Sequence, residues 1–175
     1  MAEYLVVDGY NIINAWKVLN KLKEENLEHA RDKLLEYLAE YQSFNERRTV
    51  VVFDAHLVKG GQEFREKVLG MDVIYTREGE IADLVIESLV QELISGNHVV
   101  TVATSDWVEQ RIILGQGAYR LSARELWNRI ESNIKSIQDK KEILARKQQR
   151  QPLCSRLEDS VKEKLEKMRR GEKKI

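Results

Sequence analysis

The strongest constraint on the fold is a set of short apolar runs, rich in β-branched residues, that alternate with longer segments of helical period. Residues 3–8 (EYLVVD) and 49–54 (TVVVFD) are nearly continuous apolar runs, typical of strands inside a parallel sheet. Residues 72–76 and 98–103 predict two more strands, and 118–121 a short fifth. This alternation predicts an α/β fold with a mostly parallel sheet of four to five strands and helices on both faces.

The segments between the strands have the three- and four-residue apolar spacing of helices. The spacing holds over 27–41 and, with a broader apolar arc, over 81–94. A further helical stretch follows Ser105 and ends near Gly115, and a final helix is predicted over 157–168. Helices of this length between buried strands fit the crossovers of a parallel sheet.

Charge is divided unevenly along the chain. The formal net charge is zero, but residues 1–127 hold 14 Lys and Arg against 21 Asp and Glu, a net of −7. Residues 128–175 hold 15 against 8, a net of +7. Ser122 and Glu125 form a capping-box pair that predicts a long helix fading before Pro152. We therefore predict a domain over 1–127 and a basic C-terminal helical extension over 128–175, packed on the domain or continuous with it.

An acidic body with a basic extension suggests a polyanionic partner, and a solvated helical surface explains the same pattern equally well. No apolar stretch approaches the roughly 20 residues of a membrane span, and the N-terminus lacks the pattern of a signal peptide. The single cysteine, Cys154, has no internal partner for a disulfide, which fits a reducing compartment. We therefore expect a cytoplasmic protein without a membrane partner.

Acidic side chains follow four successive predicted strands. Because right-handed crossovers bring the carboxyl ends of parallel strands to one edge of the sheet, these acids are expected to lie together. Crowded carboxylates repel one another and are costly to ionise without a counter-ion. Oxygen ligands without histidine or cysteine favour Mg²⁺ or Mn²⁺ over zinc. The acids are Asp8, Asp54, Glu78, Glu80, Asp83 and Asp106.

Each acid also has a simpler explanation. Asp8 with Gly9 fits a turn, and Asp54 fits the cap of a loop. Asp106 fits a helix start, and Asp83 fits a first-turn acid that answers the helix dipole. Taken together, the acids favour a metal site.

Four segments in order, VVDGYN, VVFDAHLVKG, EIADLVIE and VATSDW, resemble the NYN domains of the PIN-like nuclease superfamily. Their spacing, together with the helical tail, resembles the YacP-like bacterial branch over essentially the whole chain. The resemblance implies a PIN-like three-layer fold and a metal-dependent endoribonuclease. For this branch it further implies a ribosome-associated enzyme that cuts mRNA during translation.

The resemblance also implies a set of site residues. The matching catalytic positions are Asp8, Asn11, Asp54, Asp83, Ser105 and Asp106. One or two Mg²⁺ or Mn²⁺ ions held by Asp8, Asp83 and Asp106 would activate water and neutralise charge on the phosphate. Asn11 and Ser105 would orient phosphate or water by hydrogen bonds.

Two basic segments are candidates for contact with RNA or the ribosome. One is a predicted loop over 56–67 (HLVKGGQEFREK), for which a mobile solvated loop is the alternative. The other is the extension, whose cations equally fit a solvated helix. The candidate residues are Lys59, Arg65, Lys67, Lys140, Lys141, Arg146 and Lys147.

Three functions remain open at this point. The first is a metal-dependent endoribonuclease acting on mRNA, and the second is a non-catalytic RNA- or ribosome-binding module with the same fold. The third is another phosphate-handling α/β enzyme, such as a phosphatase or a receiver domain. A phosphatase with paired acids needs a second acid two residues after Asp8, where Tyr10 stands.

Overall fold

The computed structural model describes residues 1–45, 47–54, 64–77 and 81–149, together with 161 and 166–169. The chain divides into two compact units, Met1–Asn133 and Ile134–Ile175. The elements in chain order are β1 (Glu3–Asp8), α1 (Gly9–Ala15), α2 (Lys17–Glu25), α3 (Leu27–Asn45), β2 (Arg48–Phe53), β3 (Phe64–Val68), β4 (Met71–Tyr75), α4 (Ala82–Ser95), β5 (Val99–Ala103), α5 (Trp107–Gly115), β6 (Tyr119–Leu121) and α6 (Ala123–Gln149).

The strands form one sheet in the order β3-β4-β2-β1-β5-β6. Strand β1 pairs in parallel with β2 and β5, and the outer pairs β2–β4 and β5–β6 are also parallel. Only β3 among the described strands is antiparallel, against β4. The predicted α/β fold with a mostly parallel sheet is confirmed, and all five predicted strands lie within one residue of their expected bounds.

The described sheet has six strands instead of four or five because of β3. This strand overlaps the segment 56–67 that was predicted as a loop, so that prediction is wrong for 64–67. Residues 55–63 lie outside the described part of the chain. Its sequence, FREKV, is charged, and its side chains are mostly exposed. Charged residues are common on edge strands, where they discourage pairing with other chains. Because of them, this segment lacks the apolar pattern by which strands are predicted from a sequence.

Helices cover both faces of the sheet. On one face, Val6, Val50 and Val102 pack with Ile86 of α4 and Ile113 of α5. Successive side chains of a strand point to opposite faces, so alternate strand residues are buried on the other side, where α1 and α3 contact β2. These layers bury both faces of the central strands, as expected for a parallel sheet.

The capping box predicted before α6 is present in the structure. In the capping box before α6, the Ser122 amide donates to Glu125 Oε2 at 2.8 Å, and the Glu125 amide donates to Ser122 Oγ at 3.2 Å. Helix α6 ends before Pro152, as predicted. Most residues of the predicted last helix, 157–168, lie outside the described part of the chain. The described residues of this region, 161 and 166–169, are helical. No helix in the described part of the chain has the length and apolarity to cross a bilayer.

Gly9 lets the chain pass from β1 into α1 directly against β2. A Cβ atom at this position would lie 2.2 Å from Cε1 of Phe53, which is fully buried on β2. The Phe53 ring is held by Tyr10, edge-on at 5.2 Å, and by Tyr75, stacked at 5.6 Å. Phe53 therefore has little room to give way, and the turn requires glycine.

Gly9→Ala should lower the free energy of unfolding by about 1–3 kcal/mol, because the added methyl group overpacks against Phe53. The cost should be smaller in a Phe53→Leu background, since the two sites are in contact. Gly115→Ala is the matched control: it lies in α5 with nothing within 4 Å of the added carbon. It should be neutral or slightly stabilising. Urea unfolding of the wild type and the four variants tests this, and equal costs at Gly9 and Gly115 would contradict it.

Candidate metal centre

Asp8 stands at the point where β1 ends and α1 begins. Its side chain caps α1, accepting a hydrogen bond from the Asn11 amide at 3.1 Å on Oδ1. The residue is only 8% exposed. Burial raises the pKa of the Asp8 carboxyl to about 6; the Asn11 amide opposes the shift, and the charges of Asp83, Asp106 and Asp54 add to it. Asp8 is therefore a buried acid with other acids around it.

Asp83 and Glu109 bring two more carboxylates to Asp8. Asp83 lies in the first turn of α4, after β4, and Glu109 in the first turn of α5, after β5. Each of the three residues offers a carboxylate oxygen, and these oxygens all lie within 4.8 Å of one another. We call Asp8, Asp83 and Glu109 the acidic cluster. Burial raises the pKa of Asp83, with the charge of Asp106 as the next cause.

Glu109 was not among the predicted site residues. It is 2% exposed, and neither of its carboxylate oxygens accepts a well-formed hydrogen bond from the described residues. Burial raises the pKa of Glu109 to about 8; Thr104 opposes the shift, and the charges of Asp8, Asp83 and Asp106 add to it. No local signal in the sequence points to it, because the sequence alone does not show which side of α5 is buried. Glu109 and Ile113 are four residues apart and both buried, so a glutamate occupies the buried stripe of α5.

The donor set fits a hard divalent cation. A buried carboxylate is costly unless a counter-ion or hydrogen bonds compensate it, and Glu109 has no cation partner and no well-formed hydrogen bond among the described protein groups. The cluster offers oxygen ligands only, which suits Mg²⁺ or Mn²⁺ better than zinc.

Asp106 lies at the edge of the acidic cluster without belonging to it. The side chain is exposed and caps α5: Oδ1 accepts from the amides of Val108 at 2.7 Å and Glu109 at 3.2 Å. Its charge still raises the pKa values of Asp8, Asp83 and Glu109, so it is close to all three. Asp106 fixes the helix turn that carries Glu109, and its role as a metal ligand stays a prediction.

Asn11 and Ser105 connect three parts of the site. The side-chain oxygen of Asn11 accepts from the Ser105 amide at 2.7 Å. Ser105 Oγ in turn accepts from the amide of Ala123, the first residue of α6, at 3.3 Å. The start of α1, the loop after β5 and the start of α6 are therefore joined in one hydrogen-bonded chain.

The other predicted residues are more scattered. Asp54 is half-buried, and its charge raises the pKa values of Asp8 and Asp83, which places it near the same edge. Arg65 and Lys67 are exposed on β3, where Lys67 Nζ lies 3.6 Å from Asp72 Oδ1. The remaining predicted positions lie outside the residues, or the side chains, that the structure describes: Lys59, Glu78, Glu80, Lys140, Lys141, Arg146 and Lys147.

The sheet and the acidic cluster together define a class: an α/β protein with a candidate metal site of the carboxylate type that nucleases and phosphatases use. The chain matches the YacP-like NYN domain over residues 5–170, and it belongs to this family, which has an RNA nuclease-like fold. The match includes most of the predicted basic extension.

Known relatives agree with this membership. YacP of Bacillus subtilis (strain 168) is 43% identical over 170 residues, which cover 97% of this chain and 98% of that protein. A crystal structure of Rae1 (YacP) from Bacillus subtilis matches with a TM-score of 0.70 at 44% identity, covering 96% of this chain and 95% of the other. The crystal structure of a point variant of the same protein matches with a TM-score of 0.72 at 43% identity, covering 82% and 84%.

The raised pKa of Asp8 has a defined effect on stability. A carboxyl whose pKa rises on folding stabilises the protein in its protonated form, and this contribution is lost as the pH rises from the unfolded value of 3.8 through about 6. In EDTA at about pH 8, Asp8→Asn should therefore raise the melting temperature by about 5 °C. Near pH 4 the gain should disappear. The asparagine can still accept the Asn11 hydrogen bond, so the cap is retained.

Thermal melts in EDTA across this pH range check the expectation. Asp32→Asn, on the exposed surface of α3, is the matched control and should show no pH-dependent difference from the wild type. If the melting temperature of Asp8→Asn stays below that of the wild type at both ends of the pH range, Asp8 is not an acid whose pKa is raised by folding.

Proposed function

We propose that this protein is a metal-dependent endoribonuclease that hydrolyses phosphodiester bonds in RNA. In this proposal it acts in the cytoplasm and cleaves mRNA in association with the translating ribosome. The observation that carries the proposal is the acidic cluster: three carboxylates at the sheet edge of a YacP-like NYN domain, one of them buried without a well-formed hydrogen bond from the described residues.

Asp8, Asp83 and Glu109 are the proposed ligands of Mg²⁺ or Mn²⁺, with Asp106 as a further candidate beside them. When bound, the cation would neutralise charge on the phosphate and lower the pKa of a water molecule to make it a nucleophile. The three carboxylates come from the end of β1 and from the first turns of α4 and α5, two helices that follow strands of the same sheet. Such a scaffold holds ligands at fixed distances better than a loop does.

Asn11 and Ser105 are proposed to position the substrate. Asn11 uses its side-chain oxygen to accept from Ser105, so its amide nitrogen is the group that would donate to a phosphate oxygen. The Ser105 hydroxyl accepts from Ala123 and keeps its own proton to donate. Asp54 completes the proposed catalytic set as a carboxylate near Asp8 and Asp83 that could accept a proton from water.

The charge distribution supports docking through the extension. Residues 1–127 carry a net charge of −7, which disfavours free RNA over most of that surface, whereas residues 128–175 carry +7. In the proposal, the extension binds RNA or the ribosome, and the acidic edge performs the cleavage. A non-catalytic binding module would have no need of three carboxylates gathered at one edge, one of them buried without a well-formed hydrogen bond from the described residues.

Asp8→Asn, Asp83→Asn and Glu109→Gln should each lower kcat for RNA cleavage by at least about 100-fold, because each removes a ligand charge while keeping the side-chain shape. Asp32→Asn should cleave at the wild-type rate. The assay incubates purified protein with mRNA, with and without translating ribosomes, in Mg²⁺, Mn²⁺ or EDTA. Wild-type rates for all three cluster variants would make the metal-site proposal wrong. Binding without cleavage by the wild type under every condition would favour the non-catalytic module.

The same assay separates two roles for Asp106. Asparagine caps helices as well as aspartate does, so Asp106→Asn keeps the start of α5 and removes only the charge. A loss of activity equal to that of Asp83→Asn would make Asp106 a ligand. Activity near the wild type would restrict it to positioning the turn that holds Glu109.

Binding through the extension should depend on salt. Replacing Lys140, Lys141, Arg146 and Lys147 with glutamine should weaken binding to ribosomes or RNA and flatten its dependence on salt, because fewer counter-ions are released. The melting temperature should change little. The matched control exchanges lysine and arginine at the same four positions and so keeps the charge. Sedimentation with ribosomes at several salt concentrations provides the measurement, and superimposable curves for all three proteins would leave the extension without a docking role.

A further inference from the structure

A cavity of about 400 Å³ opens beside the candidate metal centre, within the unit Met1–Asn133. Its walls come from the end of α1 and the start of α2, from the loop after β5, and from the start of α6. The residues that matter for its chemistry are Trp16, Lys17, Ser105, Arg124 and Trp127. A volume of this size is within the range of small-molecule and cofactor sites.

The aromatic wall of the cavity is held rigidly. Trp16 is 5% exposed, and its Nε1 donates to the Ala123 carbonyl at 2.8 Å. The ring of Trp127 meets Trp16 edge-on at 4.9 Å and Tyr37 edge-on at 5.6 Å. Trp127 itself is only half-buried, so part of its ring remains available to a ligand.

Two cations stand at the same cavity. Lys17 begins α2 and Arg124 lies in the first turn of α6; both are exposed. Neither forms an ion pair within the described part of the chain, although the surrounding residues 1–127 carry a net charge of −7. Two cations that form no ion pair with the described residues, beside an aromatic ring and among residues of net negative charge, favour an anionic ligand with a flat apolar part.

The cavity is adjacent to the acidic cluster. Ser105 lines it and donates its amide to Asn11 at 2.7 Å, and the Asn11 amide donates to Asp8 at 3.1 Å. Two hydrogen bonds therefore connect the cavity wall to a proposed metal ligand. A polymeric substrate bound across the acidic cluster would therefore place its neighbouring residue at the cavity.

We propose that this cavity binds one nucleotide of single-stranded RNA next to the phosphate that is cleaved, and this inference rests on the proposed function. The base lies against Trp127, and Lys17 and Arg124 contact the adjoining phosphates. Stacking on an aromatic ring together with a basic lining is how proteins hold single-stranded nucleic acid. A carboxylate-bound cation recognises only phosphate, so the cavity sets the register of the RNA over the acidic cluster. An apolar peptide side chain would not use the two cations.

The test measures the fluorescence of the two tryptophans that line the cavity. The chain has three tryptophans, and in a Trp107→Phe protein only the two that line the cavity remain. The ligand is an oligoadenylate of about six nucleotides in EDTA and low salt, where no metal supports cleavage. Saturable quenching of tryptophan emission is expected. Removing both cavity cations by Lys17→Gln with Arg124→Gln should weaken binding about ten-fold.

The matched control is Lys21→Gln with Arg48→Gln. It removes the same charge from α2 and β2, at exposed positions that neither line the cavity nor belong to the extension, and it should change binding by less than about two-fold. All four positions are exposed, so melting temperatures should match the wild type.

The failures of the two proposals are distinguishable. If the RNA does not quench the emission, or if both charge pairs weaken binding equally, the nucleotide cavity is overturned, even when the wild type cleaves RNA in Mg²⁺ or Mn²⁺. If quenching and the selective loss are observed while no metal supports cleavage, the cavity stands as an RNA-binding site and the nuclease proposal fails.

Discussion

The parallel pairing of β1 with strands on both sides is the constraint on which the site depends. In register, Asp8 stands opposite Val52 of β2, and Val7 opposite Ala103 of β5. This register brings the end of β1 beside the turns that enter α4 and α5. A slip by one residue would turn the side chains of β1 to the opposite faces, which would expose the apolar residues that hold the sheet between its helix layers. Core packing and site geometry are therefore fixed by the same pairing.

Helix starts perform a second task in this arrangement. Asp8 caps α1 and Asp106 caps α5, so each residue satisfies backbone amides while placing charge at the sheet edge. The amides hold the carboxylates in place and partly offset their mutual repulsion. The hydrogen bonds that begin α1 and α5 therefore also orient two of the acids at this edge.

Much of this could be predicted from the sequence, because buried strands and the acids that end them are local signals. Asp8, Asp54, Asp83 and Asp106 were expected at one edge, and the structure places them near one another. Strand β3 was not predicted, because a charged edge strand carries no apolar pattern. Glu109 was not predicted as a site residue, because a glutamate in a helix is significant only when the buried side of that helix is known. The Trp16–Trp127 contact joins residues 111 apart, and no local pattern indicates such a pairing.

The long-range contacts have a consequence for how the protein is made. Strand β1 emerges first during synthesis, but its partner β5 begins at Val99, and the hydrogen bond from Trp16 reaches Ala123. Contacts between such distant residues form late, because the intervening chain must be ordered first. Roughly a hundred further residues must be translated after Asp8 before Glu109 can pack beside it. The nascent chain cannot assemble its acidic cluster until the first unit is almost fully translated.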